Sequence, residues 1–161
     1  MDPVSATHIA ANALSVAKGA WDIGNALYKF IKDARSIDST ARAFAGETRA
    51  LAAACNVVST RLEAIVKERD AELGPNDSGS NQHNPLWACL DSQIIECRET
   101  VSQLQVTVEC AQQDSTKGTT FLGQATRQFK LDMKSNEIAE LRTRIQSHTS
   151  SLQLILQAVA M

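Results

Sequence analysis

The chain has 161 residues, 43% of them hydrophobic, which suffices for one domain with its own core and is too short for two ordinary domains. The net charge of −2 gives no bulk attraction to nucleic acid, so a nucleic-acid partner is not expected. Only three prolines and 4% aromatic residues, together with many good helix formers, favour helices over strands.

The N-terminal segment is predicted to be a helix from Pro3 to about Ala34. Asp2 can cap it, and proline suits the first helical position because its missing N–H costs nothing there. Only three charged residues lie between Val4 and Ile31, so much of this helix is expected to be buried. Gly19 and Gly24 weaken a helix interior by about 1 kcal/mol each and suggest a kink or a close backbone approach.

The second helix is predicted to begin at Asp38 or Ser39 and to carry apolar residues at heptad spacing. The stretch Leu73–Pro85 is rich in Gly, Pro, Asn, Asp and Ser and is predicted to be a loop. The residues assigned to the bundle core from this helix are Phe44, Leu51, Val58, Leu62 and Ile65.

The third helix is predicted over Pro85–Gln112, with an unbroken heptad seam. Residues 71–113 carry one basic and six acidic groups, a net of −5. The acids of this helix lie off the seam, which indicates a solvated face or, alternatively, a surface that docks a protein partner. Its predicted core residues are Trp87, Leu90, Ile94, Val101 and Leu104.

A polar linker is predicted over Gln113–Gly123, and a short helix over Gln124–Met133 is a further expectation. The last helix should begin at Ser135 or Asn136. Its predicted core residues are Ile138, Leu141, Ile145, Leu152 and Ile155. Together these patterns predict an all-α fold, an antiparallel bundle of four long helices plus the short helix, forming one domain over residues 1–161.

The search for reactive chemistry finds no catalytic motif, no metal site and no cofactor site, so an enzyme is not expected. Cys55 and Cys97 fall on core-facing positions, as reduced cysteines of a cytoplasmic protein do. His148 falls on the seam of the last helix. It is interpreted as a hydrogen-bonded core histidine, with a pH-sensitive switch as the alternative.

The first helix has two interpretations. It is either a central core helix surrounded by the other three, or a helix held in the bundle until it is released to a membrane. A segment this apolar is stable in a protein core or in a lipid interface, so burial can restrain it. The residues assigned to membrane insertion are Val4, Ile9, Leu14, Val16 and Trp21.

The opening MDPVSATHIAANALSVAKGAWDIGNALYKFIKDAR resembles the HeLo-like domains that precede many fungal STAND (NLR-like) receptors. The stretches LWACLDSQIIECRETVSQLQ and EIAELRTRIQSHTSSLQLILQ resemble their third main helix and their last helix. The resemblance covers essentially the whole chain and consists of helix-face patterns rather than catalytic signatures.

The resemblance implies an N-terminal signalling or effector domain of a longer receptor, acting in non-self recognition and regulated cell death. It implies self-association on activation, with the first helix leaving the bundle for the plasma membrane and its lipids. The chain is then expected to be cytoplasmic until it is activated. The alternative is a protein–protein adaptor or oligomerisation module with no membrane activity.

Overall fold

The computed structural model describes residues 3–33, 39–72, 85–113 and 136–159, and all of them are helical. These residues form α1 (Pro3–Asp33), α2 (Ser39–Glu72), α3 (Pro85–Gln113) and α4 (Asn136–Val159). The predicted all-α helical bundle is therefore confirmed. The short helix expected over Gln124–Met133 lies outside the described residues.

The four helices stand at the corners of a square. α1 packs against α2 and α3, and α4 packs against the same two helices from the other side. α1 and α4 are therefore diagonally opposed, as are α2 and α3. The expectation of α1 as a central helix surrounded by the other three is thus not met, because α1 occupies a corner and keeps one side in solvent.

The direction of the helices follows from short connections and from side-chain neighbours. Only five residues join α1 to α2, and five residues reach less than about 20 Å, whereas α1 is about 46 Å long. α2 must therefore turn back along α1. Gly19 of α1 faces Val101 of α3, and Ile23 of α1 lies near Val108 of α3. The helices α1 and α3 therefore run in the same direction.

The core is one cluster of buried apolar side chains drawn from all four helices. Fully burying a Leu, Ile or Phe side chain stabilises the fold by about 1.5–3 kcal/mol. Among the predicted core residues, Ile65, Trp87 and Ile155 are only partly buried. The others are buried: Phe44, Leu51, Val58, Leu62, Leu90, Ile94, Val101, Leu104, Ile138, Leu141, Ile145 and Leu152.

Two thiols meet at the centre of the square. Cys55 of α2 and Cys97 of α3 are both fully buried, and their side chains lie close to each other across the diagonal. The neighbouring Cys97 thiol and the burial raise the pKa of the Cys55 thiol far above its usual range. Because the thiolate is the reactive form, Cys55 acts as a small apolar core residue rather than as a nucleophile.

Polar contacts attach α4 to both of its neighbours. Arg142 donates two hydrogen bonds to the Glu47 carboxylate of α2, at 2.7 and 2.9 Å, and Gln146 donates a third at 2.9 Å. On the other side, the His148 ring contacts Gln93 at 2.6 Å and Thr100 at 2.9 Å, both in α3. His148 is therefore a hydrogen-bonded histidine at the edge of the core.

Candidate functional site

The outer side of α1 carries large side chains that the bundle leaves in solvent. Leu14, Trp21 and Tyr28 recur every seven residues, and about half of each side chain is exposed (49%, 51% and 51%). Residues seven apart lie on one helix face, so the three form a continuous row. Together they make an exposed surface of aromatic and leucine side chains.

Arg49 of α2 completes this row from the neighbouring helix. Its guanidinium lies over both aromatic rings, 5.3 Å from the centroid of Trp21 and 4.9 Å from that of Tyr28. It also donates a 2.5 Å hydrogen bond to Asn25 Oδ1, between the two rings in sequence. Arg49 Nε is buried and has no hydrogen-bond partner among the described residues. The arginine therefore holds a fixed positive charge on this surface.

Two of the three exposed lysines of α1 lie beside the row of Leu14, Trp21 and Tyr28. Lys18 follows Leu14 by four residues and Lys32 follows Tyr28 by four, so each lies next to the row on the helix surface. Asp22 and Lys29 are also exposed and lie to one side of it. We call this surface the basic–aromatic stripe; it comprises Leu14, Lys18, Trp21, Tyr28, Lys32 and Arg49.

The inner side of α1 is entirely apolar. Every charged side chain of α1 whose exposure the structure describes lies on the outer side. α1 is also the most amphipathic of the described helices. The inner face is buried against α2 and α3 and consists of Ile9, Ala13, Val16, Ala20, Ile23, Leu27 and Ile31.

The residues assigned to membrane insertion therefore fall on two different faces. Ile9 and Val16 are buried on the inner face, whereas Leu14 and Trp21 belong to the exposed basic–aromatic stripe. The side chain of Val4 lies outside the described set. Within the described helices, none combines the length and the apolarity that crossing a membrane requires.

The outer side of α3 carries the opposite charge. Ile95 and Val106 are exposed aliphatic side chains (38% and 58%), and Glu99 and Glu109 are exposed between and beyond them. Together with Ser102, these residues are spaced three or four positions apart along α3, so they share one helix face. We call this surface the acidic–aliphatic stripe; it comprises Ile95, Glu99, Ser102, Val106 and Glu109.

A shallow cleft between α1 and α3 lies at the edge of the acidic–aliphatic stripe. Its floor is formed by small and aliphatic side chains, including Gly19, Ile23 and Val108. Asp22 and Glu109 line it with carboxylates, and Glu109 accepts a 2.7 Å hydrogen bond from Gln105. The cleft extends the negative surface of α3 towards α1.

Part of this site could be predicted from the sequence. The row of Leu14, Trp21 and Tyr28 follows from heptad spacing, and the acidic face of α3 follows from its composition. The contribution of Arg49 could not be predicted from the sequence, because this residue comes from another helix. Across residues 3–33, 39–72, 85–113 and 136–159, no three His, Cys, Asp or Glu side chains form a group that could hold a metal ion.

Comparisons with protein-family models, with curated proteins and with solved structures give no match to this chain.

Proposed function

We propose that this chain is a signalling domain of regulated cell death in non-self recognition, whose α1 leaves the bundle and inserts into a membrane interface. The observation that carries the proposal is the division of α1 into a purely apolar inner face and an outer face that holds its lysines. Helices of this composition lie in the interface plane of a bilayer with lysines at the headgroups. The resemblance to HeLo-like domains supports the same function.

The cost of release explains why α1 stays in the bundle at rest. Ile9, Val16, Ile23 and Leu27 are each at least 95% buried. Exposing them to water would cost about 6–12 kcal/mol, at about 1.5–3 kcal/mol for each side chain. A lipid interface can bury the same side chains and recover most of this energy, whereas water cannot. The equilibrium therefore favours the bundle until a membrane is present.

The corner position of α1 supports its release. α1 packs chiefly against two neighbours, and Trp21 and Tyr28 on its outer side stay about half exposed, contacted by Arg49 of α2. Its departure therefore opens two helix interfaces and leaves α4 in contact with α2 and α3.

A disulfide that fixes α1 to α3 tests this proposal. A Cβ built on Gly19 would lie 3.1 Å from Val101 Cγ1. In a disulfide, the Cβ of one cysteine lies about 3 Å from the sulfur of the other, given an S–S bond of about 2.05 Å. The double variant Gly19→Cys/Val101→Cys should therefore form a bridge on oxidation. We expect the oxidised variant to release no dye from anionic liposomes.

The same variant under reducing conditions is the matched control. Reduction should restore dye release to the level of the unmodified chain, which should itself be insensitive to the reductant. Mass spectrometry of tryptic peptides establishes that the bridge joins positions 19 and 101 rather than a native cysteine. Equal leakage from the oxidised and reduced forms would contradict the release of α1.

The second candidate is an adaptor or oligomerisation module without membrane activity. The exposed row of Leu14, Trp21 and Tyr28 favours it, because these side chains are available while α1 remains docked. This function predicts association in solution by the oxidised Gly19→Cys/Val101→Cys variant and no leakage from liposomes by any form of the chain. Light scattering and the leakage assay together separate the two functions.

A further inference from the structure

Two exposed stripes of opposite charge occupy different helices of this bundle. The basic–aromatic stripe of α1 and α2 carries Lys18, Lys32 and Arg49, and the acidic–aliphatic stripe of α3 carries Glu99 and Glu109. Both also expose apolar side chains. We propose that the basic–aromatic stripe of one copy binds the acidic–aliphatic stripe of a second copy, so that the chain associates head to tail.

The spacing of the two stripes supports this pairing. Leu14 and Tyr28 are fourteen residues apart, about 21 Å along the helix axis, and Ile95 and Val106 are eleven residues apart, about 16 Å. The apolar side chains therefore extend over similar lengths. Each stripe also alternates its apolar and charged side chains at helical spacing, which lets aromatic–aliphatic and lysine–glutamate contacts form together.

Electrostatics favour a second copy over an anionic bilayer as the occupant of the basic–aromatic stripe. The chain carries a net charge of −2, so the molecule as a whole gains nothing from an anionic surface. The local charge of α3 is the complement that the stripe requires. Asp22 at the α1–α3 cleft adds one further carboxylate beside the acidic surface.

The geometry sets the type of assembly. The two stripes differ in composition and both face solvent in the same molecule, so each copy keeps one stripe free after pairing through the other. Where each stripe binds a different copy, this contact between unlike surfaces generates an open chain or a closed ring. Self-association of this kind brings several α1 helices together. This inference rests on the proposed function.

Two charge-reversed variants test the contact. Lys18→Glu/Lys32→Glu makes the first stripe acidic, and Glu99→Lys/Glu109→Lys makes the second stripe basic. Each variant alone should associate roughly 100-fold more weakly than the unmodified chain, because like charges then face each other. An equimolar mixture of the two should assemble again, since each supplies the complement of the other. Light scattering at increasing protein concentration measures all of these states.

Arg61→Glu/Lys67→Glu, on exposed positions of α2, is the control for net charge and should assemble like the unmodified chain. The inference is overturned if the unmodified chain stays monomeric up to about 1 mM, where even weak contacts are populated. Failure of the mixture to assemble also overturns it. The inference is also overturned if the chain is a monomer that binds vesicles of anionic phospholipid and Lys18→Glu/Lys32→Glu abolishes this binding. The basic–aromatic stripe would then be a lipid-binding surface.

The disulfide experiment separates this inference from the proposed function. The oxidised Gly19→Cys/Val101→Cys variant retains both stripes and should assemble without releasing α1. If that variant neither releases dye nor assembles, the result would support the release of α1 and would contradict only the head-to-tail contact.

Discussion

Arg49 crosses α1 directly over Gly24. A Cβ built at position 24 would lie 2.8 Å from Arg49 Cγ, closer than real side-chain contacts allow. The absence of a side chain on Gly24 therefore lets the arginine reach Trp21 and Tyr28 on the outer surface. The glycines suggest a kink or a close backbone approach; at Gly24 the structure shows the close approach of the Arg49 side chain, and its consequence is a fixed charge in the exposed stripe.

Replacing Gly24 with alanine should displace Arg49 from the aromatic rings. Alanine gains about 1 kcal/mol of helix propensity. The clash with Arg49 Cγ costs roughly 1–3 kcal/mol, and the two cation–π contacts contribute about 0.5–1 kcal/mol each. We therefore expect a net destabilisation of about 1–4 kcal/mol, measured by urea unfolding, with a change in Trp21 fluorescence.

Gly46→Ala is the matched control, because nothing lies within 4 Å of a Cβ at that position of α2. It should stabilise the bundle by up to about 1 kcal/mol through helix propensity alone. If both variants were stabilised to the same extent, Arg49 would have moved without loss of stability. A glycine at position 24 would then not be required for the packing of α1 and α2.

The helices could be predicted from the sequence because their signals are local. Heptad spacing, Pro85 at a helix start and Gly- and Asn-rich connections depend only on neighbouring residues, and α2, α3 and α4 begin where these signals place them. The arrangement of the helices could not be predicted from the sequence, since it depends on which apolar seams pack together. The period of 100° per residue already separates Leu14 from Val16 by about 200°, so the split of the insertion residues follows from spacing alone.

The ion pair between Glu47 and Arg142 should make the stability depend on acid pH. Hydrogen bonds from Arg142, and to a lesser extent from Gln146, hold the pKa of Glu47 below its ordinary value of 4.5, against the opposing effect of burial. Because the folded pKa is the lower one, this stabilisation is complete above pH 4.5 and is lost as the pH falls through the folded pKa. Glu47→Gln should cost about 1–3 kcal/mol at pH 7 and much less near pH 3.

Glu140→Gln provides the control for Glu47→Gln. Glu140 pairs with Arg144 one turn away on α4, but both side chains are largely exposed, so its replacement should change stability by less than about 0.5 kcal/mol. Urea unfolding of the three proteins at both pH values measures the difference. A Glu47→Gln cost that stays constant between pH 7 and pH 3 would show that packing, not charge, stabilises this contact.

His148 should make the bundle less stable as the pH falls below 6.5. Burial lowers the pKa of His148, Arg144 lowers it further, and Glu96 acts in the opposite direction. The unfolded chain therefore binds the proton more readily, and stability falls from pH 6.5 towards the folded pKa. The neutral ring accepts a hydrogen bond from Gln93 at Nδ1 and donates from Nε2 to Thr100. Protonation of Nδ1 removes the acceptor.

His148→Gln keeps a polar side chain without this titration, so its stability should change less than that of the unmodified chain between pH 7.5 and 5.5. Urea unfolding over this range gives the comparison, and the imidazole resonances of His148 in NMR spectra report its pKa directly. An imidazole that titrates above 6.5 in the folded state would reverse the expected sign.

Leu104 and Val106 provide the sharpest test of which side of α3 faces the core. Leu104 is fully buried in the cluster that all four helices share, whereas Val106 is 58% exposed on the acidic–aliphatic stripe only two residues away. Leu104→Ala removes buried methyl groups and leaves a cavity, so it should cost about 2–5 kcal/mol. Val106→Ala should change stability by less than about 0.5 kcal/mol, and only self-association should weaken. Urea unfolding and light scattering of both variants measure these effects. Comparable losses of stability would mean that α3 is rotated about its axis relative to the bundle, which would remove the acidic–aliphatic stripe from the surface.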